Sequence, residues 1–238
     1  MRRAELKALL ESSCEQLSRP QAISWSDPDP LLIAREQRED WAVLLCALFG
    51  YGNVRAIVGF LSEIEFTTRR APQRGYRFQS REDVVRILTV LPTVPIEAHF
   101  KSGYHAAGVL GGIAQCIEAI EEALGHMTPG LRFLIGKRFD PLNPKGAGSY
   151  KRWLMFARWM GRHQMPDLGR WSWLESRDLI MPLDTHTFRL GRKLRLIRRK
   201  SADLQAALEM TRALKRFCPE DPIRYDFALY RLGQKGQL

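Results

Sequence analysis

Two polar side chains thirty-three positions apart, Lys151 and Asp184, carry the chemistry that this sequence offers. Lys151 follows Gly146-Ala147-Gly148 and Ser149-Tyr150 at the start of an apolar-periodic segment. With Ser149 as cap, it falls in the first turn of a helix, where the helix dipole disfavours a cation. Arg152 adds a second positive charge, and Tyr150 and Trp153 flank the pair. Positive neighbours and partial burial are the settings that free a lysine amine to act as a nucleophile. The same placing suits a lysine that only contacts phosphate. Gly146 and Gly148 let backbone N–H groups turn outward ahead of a helix N-terminus, which makes an anion cradle. Asp184, in Pro182-Leu183-Asp184-Thr185-His186, stands where a helix begins and is expected to cap it, with the helix N–H groups holding its carboxylate ionised. For an arbitrary Asp-Thr, capping alone would be explanation enough. His186 has no second ligand at metal spacing, so it is read as hydrogen-bonding or structural and no metal is expected.

The charge distribution suggests what such a pair would meet. Residues 1–130 carry 14 basic and 16 acidic side chains, whereas residues 131–238 carry 23 and 10. The whole excess of +11 therefore sits in the second part of the chain, which points to a polyanionic partner. No apolar run approaches the roughly 18 residues of a membrane span, and Glu5 and Glu11 interrupt the basic N-terminus too early for a signal peptide. Cys14, Cys46, Cys116 and Cys218 lie far apart with no C-x-x-C pair, which excludes a zinc ribbon or an iron–sulfur loop and favours reduced intracellular thiols. P-loop, dinucleotide and H-E-x-x-H motifs are absent.

The elements that must position the pair read as helices, and no segment alternates with period two. The spacing predicts helices over Glu5–Leu17, Asp40–Phe49, Val54–Ile64, Glu82–Leu91, Tyr104–Leu124, Gly130–Phe139, Ser149–His163, Trp171–Arg177, Thr185–Leu194, Ala202–Phe217 and Asp221–Leu232. Asp40, Ser149, Asp184 and Asp221 are the expected caps. Thr67–Arg81 reads as a basic, aromatic surface loop, and Asp140–Gly148 as a tight connection that makes a helical hairpin of Leu131–Met160. The fold class is all-α.

A lysine in the helix after a glycine hairpin, followed by Asp184-Thr185-His186-x-Phe188-Arg189 at a helix start, resembles the helix-hairpin-helix DNA glycosylase superfamily, which includes endonuclease III and the 8-oxoguanine glycosylases. Segments Tyr51–Asn53, Lys151–Met160, Pro182–Arg189 and Asp221–Leu229 are similar to those of an outlying bacterial branch of about this length. The sequence departs from the superfamily pattern in three ways. The hairpin lacks an apolar-Pro-Gly opening, Gly148 and Lys151 stand three positions apart rather than two, and Arg162–Leu179 lengthens the Lys-to-Asp spacing toward the archaeal 8-oxoguanine type.

The resemblance implies a two-lobed architecture with the active site between lobes. One lobe would comprise residues 1–38 and 195–238, and the other residues 39–194 with the hairpin and the Asp184 cap. It implies a glycosylase and AP lyase that flips out and excises an oxidised base, 8-oxoguanine first, with alkylated purines or oxidised pyrimidines as alternatives. Lys151 would form a Schiff base with the sugar, and Asp184 would stabilise positive charge on it. Gly146, Gly148, Ser149, His186 and Arg189 would contact DNA, and Tyr51 or Asn53 would wedge into the gap left by the base, unless Tyr-Gly-Asn is only a turn. Tyr225, Asp226, Phe227 and Trp159 would line the base pocket, with Asp226 accepting from a guanine edge or else pairing on the surface with Arg224 or Arg231. The expected partner is damaged duplex DNA, bound by a monomer in the bacterial cytoplasm without membrane, cofactor or iron–sulfur cluster. A non-catalytic helical nucleic-acid-binding protein is the competing reading.

Overall fold

The computed structural model describes residues 3–17 and 23–235. Among these residues there are eleven α-helices and no β-strand, only isolated bridges at Glu65–Arg70 and Tyr76–Gln79. The fold is all-α. No described helix is long and apolar enough to cross a membrane.

The chain divides into two compact units, Ile23–Asn143 and the pair of segments Met1–Ala22 and Pro144–Leu238. The resemblance implies boundaries after residues 38 and 194. They fall earlier because a helix at Leu31–Glu36 packs on its downstream neighbours and because the whole Pro144–Leu194 stretch joins the terminal segments.

The continuous unit holds α2 (Leu31–Glu36), α3 (Asp40–Leu48), α4 (Val54–Ser62), α5 (Arg81–Val90), α6 (Ile96–Leu124) and α7 (Pro129–Ile135). The helix α2 escapes periodicity analysis because it spans only six residues between Pro30 and an extended Gln37. The long helix α6 is two helices joined at a kink, where Ala107 and Gly108 leave helical geometry and Gly108 has φ +64°. In α7 the helix stops at Gly136 (φ +98°), four residues earlier than periodicity suggests. The basic loop of residues 67–81 is tied inward by rings and amides. Tyr76 packs on Phe60 at 4.7 Å, and the Gln79 amide donates to the Gly130 carbonyl at 2.7 Å. A Cβ at Gly130 would stand 2.3 Å from the Asp83 carboxylate, so this close approach requires glycine.

The other unit holds α1 (Arg3–Leu17), α8 (Lys151–Gly161), α9 (Thr185–Lys193), α10 (Leu204–Lys215) and α11 (Asp226–Lys235). It is closed by its two ends, since α1 packs on α11 and on the 3-10 turn Pro222–Tyr225. There the Tyr225 hydroxyl donates to Glu11 at 2.6 Å and the Cys14 thiol to the Arg224 carbonyl at 3.4 Å. The helix expected over Trp171–Arg177 does not form. The chain from Leu168 to Trp171 is used to satisfy the end of α8: Leu168 and Gly169 N–H both donate to the Trp159 carbonyl, and Trp171 N–H to that of Met160. Carbonyls in a last helical turn have no intrahelical partner, and this segment supplies them. Trp171 and Trp173 then stack at 5.1 Å, followed by a 3-10 turn at Ser176–Asp178.

Candidate active site

Helices α8 and α9 each contribute one residue from their N-terminal ends. Lys151 is the first residue of α8. Ser149 does not cap this helix. Tyr150 occupies that position with left-handed backbone (φ 46°, ψ 27°) and makes no side-chain capping bond. A bulky residue is seldom held at positive φ, and such conformations concentrate at functional sites. Asp184 caps α9 as expected: its Oδ1 accepts the Thr187 N–H at 2.7 Å. Its Oδ2 lies 3.6 Å from Lys151 Nζ. One carboxylate oxygen is thus fixed by the helix and the other faces the amine. Both side chains keep a path to solvent, at 30% exposure for Lys151 and 15% for Asp184.

Behind the pair lies a buried chain of charges. Arg158 follows Lys151 by two turns of α8 on the same face, and Arg162 is the extended residue that ends the helix. The Arg158 guanidinium donates to Asp167 at 3.0 Å and pairs with Asp226, the first residue of α11. The Arg162 guanidinium donates to Asp167 at 3.1 Å and to Asp221 at 2.8 Å. Asp226 is therefore a buried partner of Arg158 and not a surface partner of Arg224, which pairs instead with Glu11. Asp221 likewise caps nothing with its side chain. The network was legible in one respect: Arg158 stands inside the otherwise apolar Trp153–Gly161 run and Arg162 directly after it, and arginines so placed need buried carboxylates.

Burial pushes the Asp226 carboxyl up to about 6, although Arg158 and, more weakly, Lys151 pull it down; the negative charge of Asp184 pushes it further up. An unfolded aspartate titrates near 3.9. Between these values the unfolded chain sheds a proton that the folded chain keeps, so this group makes stability fall as pH rises from about 4 to 6 and leaves a constant deficit above. Removing the carboxylate also leaves two guanidiniums facing two carboxylates. Asp226→Asn is thus expected to gain stability relative to wild type as pH goes from 4.5 to 7, read from urea midpoints at both values. A difference between the two proteins that does not change with pH would refute this.

Gly146 has φ +74° and Gly148 stands in open space, with nothing within 4 Å of an added Cβ at either. The tight hairpin turn is not formed: α7 ends at Ile135 and α8 begins at Lys151, which leaves residues 136–150 non-helical across the boundary between the units. Gly148 is therefore not demanded by packing. Gly148→Ala should leave the melting temperature unchanged, so a loss of DNA affinity in this variant would report close backbone approach by phosphate. Unaltered binding would remove Gly148 from the interface.

The remaining expected site residues are scattered. His186 and Arg189 are exposed on α9, with the His186 ring edge-on to Tyr230 at 6.4 Å. Tyr225 and Trp159 are core residues at 0% and 1% exposure, so neither offers a stacking face; Phe227 is half-buried. Tyr51 and Asn53 belong to the other unit. The Tyr51 ring packs on Phe133 at 4.9 Å and its hydroxyl bonds Gln79, while Asn53 caps α4 through the Arg55 and Ala56 N–H groups. The most exposed rings near this turn are Phe78 and Phe133, with the Arg77 guanidinium 5.7 Å from Phe78. Sequence reading passed over them because Phe78 lies in an aperiodic loop. Among the described residues no three His, Cys, Asp or Glu side chains group as a metal site.

Fold and site together define an all-α protein that presents an amine and a carboxylate from two helix N-termini of one unit. The chain belongs to a family described as a protein of unknown function (DUF2400), whose pattern covers residues 29–235. No curated protein and no solved structure matches it.

Proposed function

We propose that this chain is a DNA glycosylase with AP lyase activity, built on the two-lobed plan of the helix-hairpin-helix superfamily and acting on 8-oxoguanine in duplex DNA. The observation that carries the reading is the 3.6 Å separation of Lys151 Nζ and Asp184 Oδ2, both partly open to solvent. The lesion nucleotide leaves the stack so that its C1′ can reach the amine. Lys151 gives up an ammonium proton, which the departing base takes up, and its nitrogen bonds to C1′ as the bond from C1′ to the base breaks with the electron pair leaving on the base. Asp184 bears the negative charge that offsets developing positive charge on the sugar and accepts hydrogen bonds from the amine. The C1′–O4′ bond then breaks as one proton passes from the nitrogen to O4′, which opens the sugar ring and gives a C1′=N iminium. Loss of a C2′ proton then expels the 3′-phosphate and cuts the strand.

Both reactive residues lie in the unit formed by the terminal segments, and the excess positive charge of residues 131–238 supplies attraction for the backbone. Excision by a monomer in the cytoplasm is part of the same proposal. The test is incubation with an 8-oxoguanine duplex and borohydride, which delivers hydride to the iminium and leaves a stable amine. A covalent protein–DNA adduct is expected. No adduct on 8-oxoguanine, an alkylated purine or an oxidised pyrimidine would leave a non-catalytic nucleic-acid-binding protein as the better reading.

A further inference from the structure

Helix α9 buries Thr187, Leu190 and Gly191 and exposes Thr185, His186, Arg189, Arg192 and Lys193 along its other face. The chain then turns at Arg195, whose backbone is left-handed (φ 58°), while Leu196 and Ile197 N–H both return to the Gly191 carbonyl. Leu196 and Ile197 are buried, so Arg195 and Arg198 stand outward beside the end of the helix. Among the described residues none of Arg189, Arg192, Lys193, Arg195 and Arg198 has an ion pair with a carboxylate. Elsewhere some exposed arginines are paired, Arg74 with Glu63 at 2.6 Å, Arg138 with Glu121 at 2.6 Å and Arg199 with Asp203 at 2.6 Å, while Arg55, Arg69, Arg81 and Arg212 have no ion pair among the described residues. From Arg189 to Arg198, however, the unpaired cations stand on one helix face and the turn that ends it. The acids close to the turn are engaged, Glu209 by the Arg198 and Arg199 backbone N–H groups and Asp203 by the Arg199 guanidinium.

The helix dipole favours cations in a last turn, which explains Arg192 and Lys193 but not Arg189, Arg195 or Arg198. Position 195 is moreover the residue after a helix C-cap with positive φ, where glycine is the usual occupant. We infer that the exposed face of α9 and the turn after it, from His186 to Arg198, form a binding surface for the sugar-phosphate backbone of duplex DNA. At 1.5 Å per residue the nine residues of α9 span roughly 13 Å. Phosphates on one strand advance roughly 3.4 Å per step, so the row of cations matches about four of them. The row starts at the helix end that holds Asp184, which lets the same element set the register of the backbone beside the amine. An interfacial membrane helix carries a broad exposed apolar face beside its cations, whereas on α9 Leu190 is buried and Phe188 half-buried.

This inference rests on the proposed function for the part of the DNA contacted, but not for binding itself. The test is anisotropy of an undamaged duplex over a salt series, with wild type, Arg192→Gln/Arg195→Gln/Arg198→Gln, and a control in which the paired Arg70, Arg74 and Arg138 become Gln. Loss of three phosphate contacts should flatten the log–log salt dependence by about 2 to 3 and weaken binding by about tenfold or more near physiological salt. The control should behave as wild type. The same three proteins are sedimented with phosphatidylserine vesicles and tried in borohydride trapping. Equal affinity and slope in the stripe variant would overturn the surface even if adduct still forms. Vesicle binding without duplex binding would overturn it as well. A lost salt slope in a protein that never forms adduct would keep the surface and defeat the glycosylase.

Discussion

Lys151→Gln is expected to yield no borohydride adduct and to lose about four orders of magnitude or more in base excision, the scale seen when a covalent nucleophile is removed. The fold should not suffer. The ion pair with Asp184 spans 3.6 Å with the lysine 30% exposed, and partly solvated pairs of this kind contribute less than about 1 kcal/mol. A cation in a first helical turn also opposes the dipole, so its removal offsets part of that loss. DNA affinity should weaken only by one phosphate contact. Lys151→Arg sharpens the experiment, since it keeps the charge and discards the nucleophile. An adduct undiminished in either variant would mean that another amine reacts, and the assignment of Lys151 would fall.

Asp184→Asn separates charge from architecture. Asparagine caps helices as well as aspartate does, so the bond to Thr187 N–H should survive and stability should change by less than about 1 kcal/mol. Turnover should fall by about 10²–10³-fold, the usual cost of losing one electrostatic stabiliser of a developing charge. Duplex binding should be kept, because the variant removes an anion from a surface facing phosphates. Asp184→Ala serves as the contrast, losing the cap as well, with a stability cost of about 1 kcal/mol. Parallel loss of binding, folding and turnover in Asp184→Asn would reduce Asp184 to a structural cap.

Legibility followed the range of the interaction that fixes each feature. The cap at Asp184 was readable because an N-cap bond reaches only three residues along the chain. Ser149 was misread by the same local rule, since Tyr150 takes the cap position in a left-handed conformation that no pattern of residue types announces. Trp171–Arg177 had an acceptable helical pattern, yet its upstream backbone was drawn to the unsatisfied carbonyls of α8, and such long-range satisfaction overrides periodicity. Aromatic residues were the least readable group. Tyr225 and Phe227 differ by two positions, but one is wholly buried and the other half-buried.

The sequence by itself determined the all-helical class, the concentration of positive charge after residue 130, and the cap at Asp184, because composition and near-neighbour hydrogen bonding are written along the chain. The tertiary structure decided the rest: that the amine and carboxylate stand 3.6 Å apart, that Asp226 is sequestered by Arg158, and that five cations on one flank of α9 and the turn after it remain unpaired among the described residues. Each of these depends on which carboxylates distant in the chain are brought beside which cations. Only packing settles that choice, since removing a charge from water is tolerable solely where a partner has been brought to meet it.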